Sequence, residues 1–229
     1  SSGNTYLAGE QGGTAVLNGV DHGPGRNVYK LDSDGSLLWN ESLIDDNPNS
    51  GDSLDNVLVD GFEGVVLSGS FWGTMTLGDT TLTSCSCGWD NSDVFVARLT
   101  SEGNWAWAVS YGGDRNDLAG ELSLYGDTVR FLSSSTDSNF FLVDDQNYTF
   151  ENEVGYVVGS INLTTGSFEW SAHISSSSSS GFYQPEWVLD SSGNTYLAGE
   201  QGGTAVLNGV DHGPGRNVYK LDSDGSLLW

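Results

Sequence analysis

Oxygen-bearing side chains crowd two short stretches of this sequence. Asp32-Ser-Asp-Gly-Ser36 sets carboxylates two residues apart ahead of a glycine, and the stretch from Asp45 to Asp55 offers Asp46, Asn49, Asp52 and Asp55. Carboxylates and amide carbonyls at such spacing suit calcium, a hard cation that takes many oxygen ligands. The first stretch brings its glycine too early for an EF-type loop and reads as a hairpin turn. The second departs by one residue from the usual loop and reads as a solvated connection that calcium could occupy. Sulfur chemistry is confined to Cys85-Ser86-Cys87. That pair could close a small local disulfide, offer two thiolates to a soft metal, or remain as free thiols. A metal needs more ligands, and His22, His173 and His212 are all remote in sequence; with no third cysteine in the chain, a Cys85–Cys87 disulfide is the expectation.

Catalytic constellations are missing. There is no G-x-S-x-G elbow, no H-E-x-x-H and no phosphate-cradling glycine loop ahead of a helix. Carboxylates are abundant enough that any pocket would contain a pair, so they do not signal a glycosidase. No catalytic or cofactor-binding residue stands out, and the residues point away from an enzyme.

Charge narrows the partners further. Seven Lys and Arg stand against 31 Asp and Glu among 229 residues, a net charge of −24. Such a field repels phosphate backbones and anionic lipid, which argues against nucleic acid and membrane surfaces. No apolar run reaches the roughly 18 residues that a spanning helix requires, and the first residues carry no signal-peptide pattern. Three sequons, at Asn40, Asn147 and Asn162, would accept glycans in a secreted chain.

The elements that must position these residues are repeated ones. Residues 1–39 and 191–229 are the same text without a mismatch, offset by 190. Inside that period a fainter one recurs: Gly35 precedes Trp39 by four residues, as Gly103 does Trp107, Gly166 does Trp170 and Gly225 does Trp229. The tryptophans are 68, 63 and 59 residues apart, 190 in all. The chain therefore divides into a partial unit at 1–44, whose residues 1–39 are the copy of 191–229, and full units at 45–112, 113–175 and 176–229.

Each unit reads as β-structure. NVYKLDSDG, VFVARLTSEG and YVVGSINLTTG align as short apolar strands closed by a polar turn whose glycine supplies positive φ. Two further strand candidates lie upstream in every full unit, as in GVVLSGSF and TVRFLSSS, and helix-period stretches are absent. Strands such as Val94-Phe-Val-Ala97 are apolar on both alternating faces, which fits sheets stacked face to face. The expected fold is all-β, with β-propeller blades of about four antiparallel strands. Trp39, Trp107, Trp170 and Trp229 are expected to pack between blades, and the serine run at 175–180 to form an inter-blade loop.

These residues resemble a known family, the β-propeller repeat called SBBP. Its pattern is matched by Asp190-Ser-Ser-Gly-Asn-Thr-Tyr-Leu-Ala-Gly199, by Asp93-Val-Phe-Val-Ala-Arg-Leu99, by Leu31-Asp-Ser-Asp-Gly-Ser-Leu-Leu-Trp39 and by Tyr111-Gly-Gly-Asp-Arg-Asn-Asp117. Thr164 to Trp170, TTGSFEW, also resembles the Trp motif of quinoprotein-type propellers. The resemblance implies a propeller architecture and an extracellular or cell-surface location, and implies no chemistry.

Perfectly repeated units that stack by nearest-neighbour contacts build extended assemblies. Residues 1–39 lack only the PEWVLD-type first strand of their unit, which a neighbouring copy would supply by strand addition. The expected function is an extracellular structural or adhesive repeat protein that forms a filament or other head-to-tail assembly with itself. A glycan- or protein-binding propeller module is the alternative, and a quinoprotein-like or hydrolytic enzyme is a third.

Overall fold

The computed structural model describes residues 3–14, 16–45, 52–85, 91–135, 141–143, 146–148, 155–176, 182–203, 205–207 and 209–229. These residues form antiparallel strands and turns with no helix. The first unit contributes Thr5–Gln11, Gly25–Leu31 and Leu37–Asp45. The second has Asn56–Val59, Val65–Phe71, Asp93–Leu99 and Trp105–Gly113. The third has Asp117–Tyr125, Thr128–Ser135, Gly155–Asn162 and Phe168–Ser176. The fourth has Phe182–Leu189, Thr195–Gln201 and Gly215–Leu221. Within each unit successive strands pair as a meander.

The sheets of the first three units extend beyond their own meanders, while the fourth is its three-stranded meander alone. Between its second and third meander strands (in the first unit, Thr5–Gln11 and Gly25–Leu31), every unit sends out a hairpin arm. In the second unit the arm is Thr74–Leu77 with Thr80–Thr83, and it pairs with Leu37–Asp45 of the first unit through Ile44↔Thr76 and Asp45↔Met75. The third unit's arm, Phe141–Val143 with Gln146–Tyr148, pairs with Trp105–Gly113 of the second. The fourth unit's arm, Ala205–Leu207 with Val210–Asp211, pairs with Phe168–Ser176 of the third. The first three sheets are thus five, six and six strands wide where the sequence suggested about four, because each borrows an arm from the unit that follows it. The first unit's own arm, Val16–Leu17 with Val20–Asp21, forms a separate two-stranded sheet. Ser175 and Ser176 extend the Phe168–Ser176 strand rather than beginning a loop, since Ser175 and Ser176 pair with Val206 and Ala205; residues 177–181 lie outside the described residues.

Period-2 alternation explains the stacking. Val65, Leu67, Phe95, Ala97 and Leu99 of the second unit face Val28 and Leu43 of the first. Val66, Val94 and Val96, one residue out of phase, face Val129, Phe131, Val157 and Ile161 of the third. Leu132, Val158, Ala172 and Ile174 then face Leu197, Tyr219 and Leu221 of the fourth. Successive residues of one strand serve two different cores, so apolar residues stand on both faces of these strands.

Candidate assembly interface

The Gly to Trp step turns out to build a joint between units. In the first three units the strand pair flanking the glycine carries a register shift, at Lys30/Leu31, Arg98/Leu99 and Ser160/Ile161. The glycine then closes the turn with φ of +82° at Gly35, +86° at Gly103, +74° at Gly166 and +82° at Gly225. That geometry strains any residue with a Cβ. The sequence motif places glycine and tryptophan in one unit, yet the contact runs across units. Trp39 lies against Gly103, Trp107 against Gly166 and Trp170 against Gly225, and a Cβ at any of these glycines would run into the ring. Each indole N–H also donates to a carbonyl of the same turn: Trp39 Nε1 to Ser101 O at 3.0 Å, Trp107 Nε1 to Leu163 O at 2.9 Å, and Trp170 Nε1 to Ser223 O at 2.8 Å. Glycine is therefore required twice over, by its φ and by the ring above it.

Polar groups reinforce the joints. Lys30 Nζ donates to Ser101 O at 2.8 Å beside Trp39. Arg130 is buried with its guanidinium 4.7 Å over the Trp170 ring, and its Nη2 donates to Ser223 O at 2.8 Å. Burial pushes the Arg130 pKa down, against the pull of Glu169 and Asp224. Arg26 donates through Nε to Asp52 O at 3.1 Å and through Nη2 at 2.6 Å, and its Nη1 lies 3.7 Å from Asp52 Oδ2. This buried pair ties the first unit to the second.

The repeated ends act as an internal control, because 39 identical residues sit in two environments. Leu7 is 46% exposed and its copy Leu197 is fully buried; Val28 is fully buried and its copy Val218 is 54% exposed. The Arg26 side chain is 3% exposed and that of Arg216 is 84% exposed, paired only with Glu200 among the described ion pairs. Gly225 carries the Trp170 ring, whereas nothing approaches the Cβ position of Gly35 within 4 Å. Trp39 is half-buried in its joint and Trp229 is 60% exposed. So the first unit presents one open face, around Leu7 and Gly35, and the fourth presents the opposite one, around Val218, Arg216 and Trp229. Among the described residues Thr5–Gln11 pairs with Gly25–Leu31 alone, whereas its copy Thr195–Gln201 pairs on its other side with Phe182–Leu189.

The expected ligand residues are placed as follows. Asp52 is buried, accepting from Trp72 N at 2.8 Å and facing Arg26, while Asp55 is exposed and accepts from Ser53 Oγ at 2.6 Å; Asp46 and Asn49 lie outside the described residues. No group of three or more His, Cys, Asp or Glu among the described residues is arranged to hold a metal ion. Asp32 caps its own turn, its Oδ1 accepting from Asp34 N at 2.9 Å and Ser36 N at 2.8 Å. Cys85 is disulfide-bonded, and its expected partner Cys87 lies outside the described residues. Asn40 sits half-buried within Leu37–Asp45, and Asn162 Oδ1 accepts from Thr164 N and Thr165 N; the side chain of Asn147 lies outside the described residues. Within Tyr111 to Asp117, Gly113 N donates to Asp117 Oδ2 at 2.7 Å, and a Cβ at Gly112 would meet the carboxyls of Asp93 and Asp117. That motif is a tight connection between two units.

The hairpin arms escaped the sequence reading. A signal was present at Val16-Leu-Asn-Gly-Val20, where Asn18 at φ +52° and Gly19 at φ +79° make the left-handed two-residue turn that Asn-Gly favours.

No protein-family model and no curated protein matches the sequence. Among solved structures, the chain is similar to a protein of unknown function from Bacteroides caccae, at 9% identity and a TM-score of 0.29 over 98% of this chain and 81% of that one. It is also similar to BamB from Moraxella catarrhalis, at 12% identity and a TM-score of 0.24 over 96% and 86% of the two chains. At these TM-scores neither likeness bears on the activity of this chain.

Proposed function

We propose that this chain is an extracellular structural or adhesive repeat protein, built of β-propeller blades, whose copies join head to tail. The observation that supports this most is the joint itself. One tryptophan-on-glycine contact recurs three times between successive units, and the identical end segments expose opposite halves of it. A surface that repeats by nearest-neighbour contact extends, as solenoids and filaments do, until a ring closes or a cap intervenes. The open edge of Thr5–Gln11 adds a main-chain template for strand addition. Electron microscopy of the purified chain should show rings or fibres; single particles of one-chain size at every concentration would defeat the proposal.

A second reading is a glycan-binding module. It is favoured by a cleft of about 420 Å³ between the third and fourth units, where Trp187 and Tyr125 stand beside Glu121 and Asp190. Aromatic faces with acidic hydrogen-bond acceptors suit sugar rings. Quenching of tryptophan fluorescence by glycans, lost in Trp187→Ala, would support that reading.

A further inference from the structure

One cation in the joint between the third and fourth units carries more donors than the joint uses. Arg130 is 2% exposed and its Nη2 donates to Ser223 O, yet Nε and Nη1 have no hydrogen-bond partner among the described residues. Unmet donors on a buried charged group are costly. The joint itself does not ask for them. Strand register makes Tyr6 and Val66 the equivalents of Arg130 in the first and second units, and the first joint makes the same turn contact with the single Nζ of Lys30, to Ser101 O. Beside Arg130 lies a hollow of about 460 Å³, lined also by Trp170, Tyr125, Asp127, Glu169 and Asp224. Glu169 and Asp224 act on the charge of Arg130, but no described ion pair joins it to any of the three carboxylates. Glu169 is held in place by Ser160 Oγ at 2.6 Å and Asn162 Nδ2 at 3.3 Å.

We propose that this hollow binds an α-amino acid as its zwitterion, the carboxylate accepting from Arg130 and the ammonium donating to Glu169 and Asp224. The charges around the hollow select such a ligand. A plain anion would meet Arg130 but also three carboxylates, on a chain of net charge −24. A plain cation would satisfy the carboxylates and leave the donors of Arg130 unmet. A ligand that carries both charges makes a charge-assisted hydrogen bond at each end. The volume lies in the range of small-molecule sites and leaves room for an apolar side chain along Tyr125 and Trp170. Both walls belong to one chain, so the site stands whether or not copies join head to tail.

Calorimetric titration of the full chain with L-leucine, N-acetyl-L-leucine, L-leucinamide and glucose tests the proposal. L-leucine should bind, and removing either of its charges should weaken binding at least about tenfold. Arg130→Lys keeps the turn contact that Lys30 makes in the first joint and removes the planar guanidinium, so it should lower the affinity for L-leucine at least about tenfold while the urea midpoint changes little. Glu169→Gln should weaken L-leucine without weakening N-acetyl-L-leucine. No binding of L-leucine up to about 10 mM, or equal binding of L-leucine and either single-charge analogue, would overturn the proposal. Undiminished binding of L-leucine to Arg130→Lys would overturn it too, by placing the amino acid elsewhere. Glucose bound more tightly than L-leucine, and lost with Arg130→Lys, would assign the hollow to neutral sugars instead.

Discussion

Four single substitutions at two pairs of equivalent positions probe the open faces directly: Leu7→Ala against Leu197→Ala, and Val28→Ala against Val218→Ala. At Val28, fully buried against the second unit, two methyl groups are lost at about 0.8 kcal/mol each plus a cavity term, giving roughly 2–3 kcal/mol. At Val218, 54% exposed, no cavity forms and about 0.5 kcal/mol is expected. For leucine the order reverses: about 3–4 kcal/mol at the buried Leu197 and about 1 kcal/mol at Leu7. Flanking sequence is identical within each pair, so strand propensity and unfolded-state effects largely cancel; what differs is the neighbouring unit and, for Leu197, the added Phe182–Leu189 strand. Urea unfolding at low protein concentration, followed by tryptophan fluorescence, reads all four. Equal losses within a pair, or the same copy being the sensitive one in both pairs, would refute the stacking of units described here.

Arg26→Ala breaks a buried pair with Asp52 and should cost about 3 kcal/mol, while Arg216→Ala, on a solvent-exposed pair, should cost under about 0.5 kcal/mol; the same unfolding assay decides. Trp107→Ala should destabilise by roughly 3–5 kcal/mol, and Gly166→Ala, at φ +74° beneath that ring, by roughly 2 kcal/mol or more; losses below about 1 kcal/mol for both would show that the joint is not a stabilising contact. Burial lowers the His173 pKa, so the unfolded imidazole takes up a proton before the folded one. The associated stability is present above about pH 6.5 and falls as pH drops, by at most about 1.4 kcal/mol per pH unit. His173→Gln should flatten the change in urea midpoint between pH 7.5 and 5.5, and an unchanged profile would count against burial of the ring.

What the sequence makes legible here is local. Val94–Leu99 declares itself by β-branched and aromatic residues on both faces, and the turn after it by a glycine with positive φ. A hairpin and its turn depend on residues a few positions apart, so a short window holds the signal. The partner of each tryptophan is 62 residues away from Trp39, 56 from Trp107 and 53 from Trp170, and nothing in the Gly to Trp spacing tells that the ring seeks the next unit's glycine. Asp52 shows the same limit. As a residue type it suits calcium; in the fold it faces Arg26, from 26 positions upstream. The arms fail for a related reason: the attachment of Thr74–Leu77 to Ile44 and Asp45 belongs to another unit, beyond the window that holds its own hairpin.

The mass of the full chain in solution tests the head-to-tail claim most directly. Light scattering across a wide concentration range should show species at multiples of 24.3 kDa that grow with concentration. A constant 24.3 kDa throughout, with the amides of Thr5–Gln11 protected from hydrogen exchange, would contradict it.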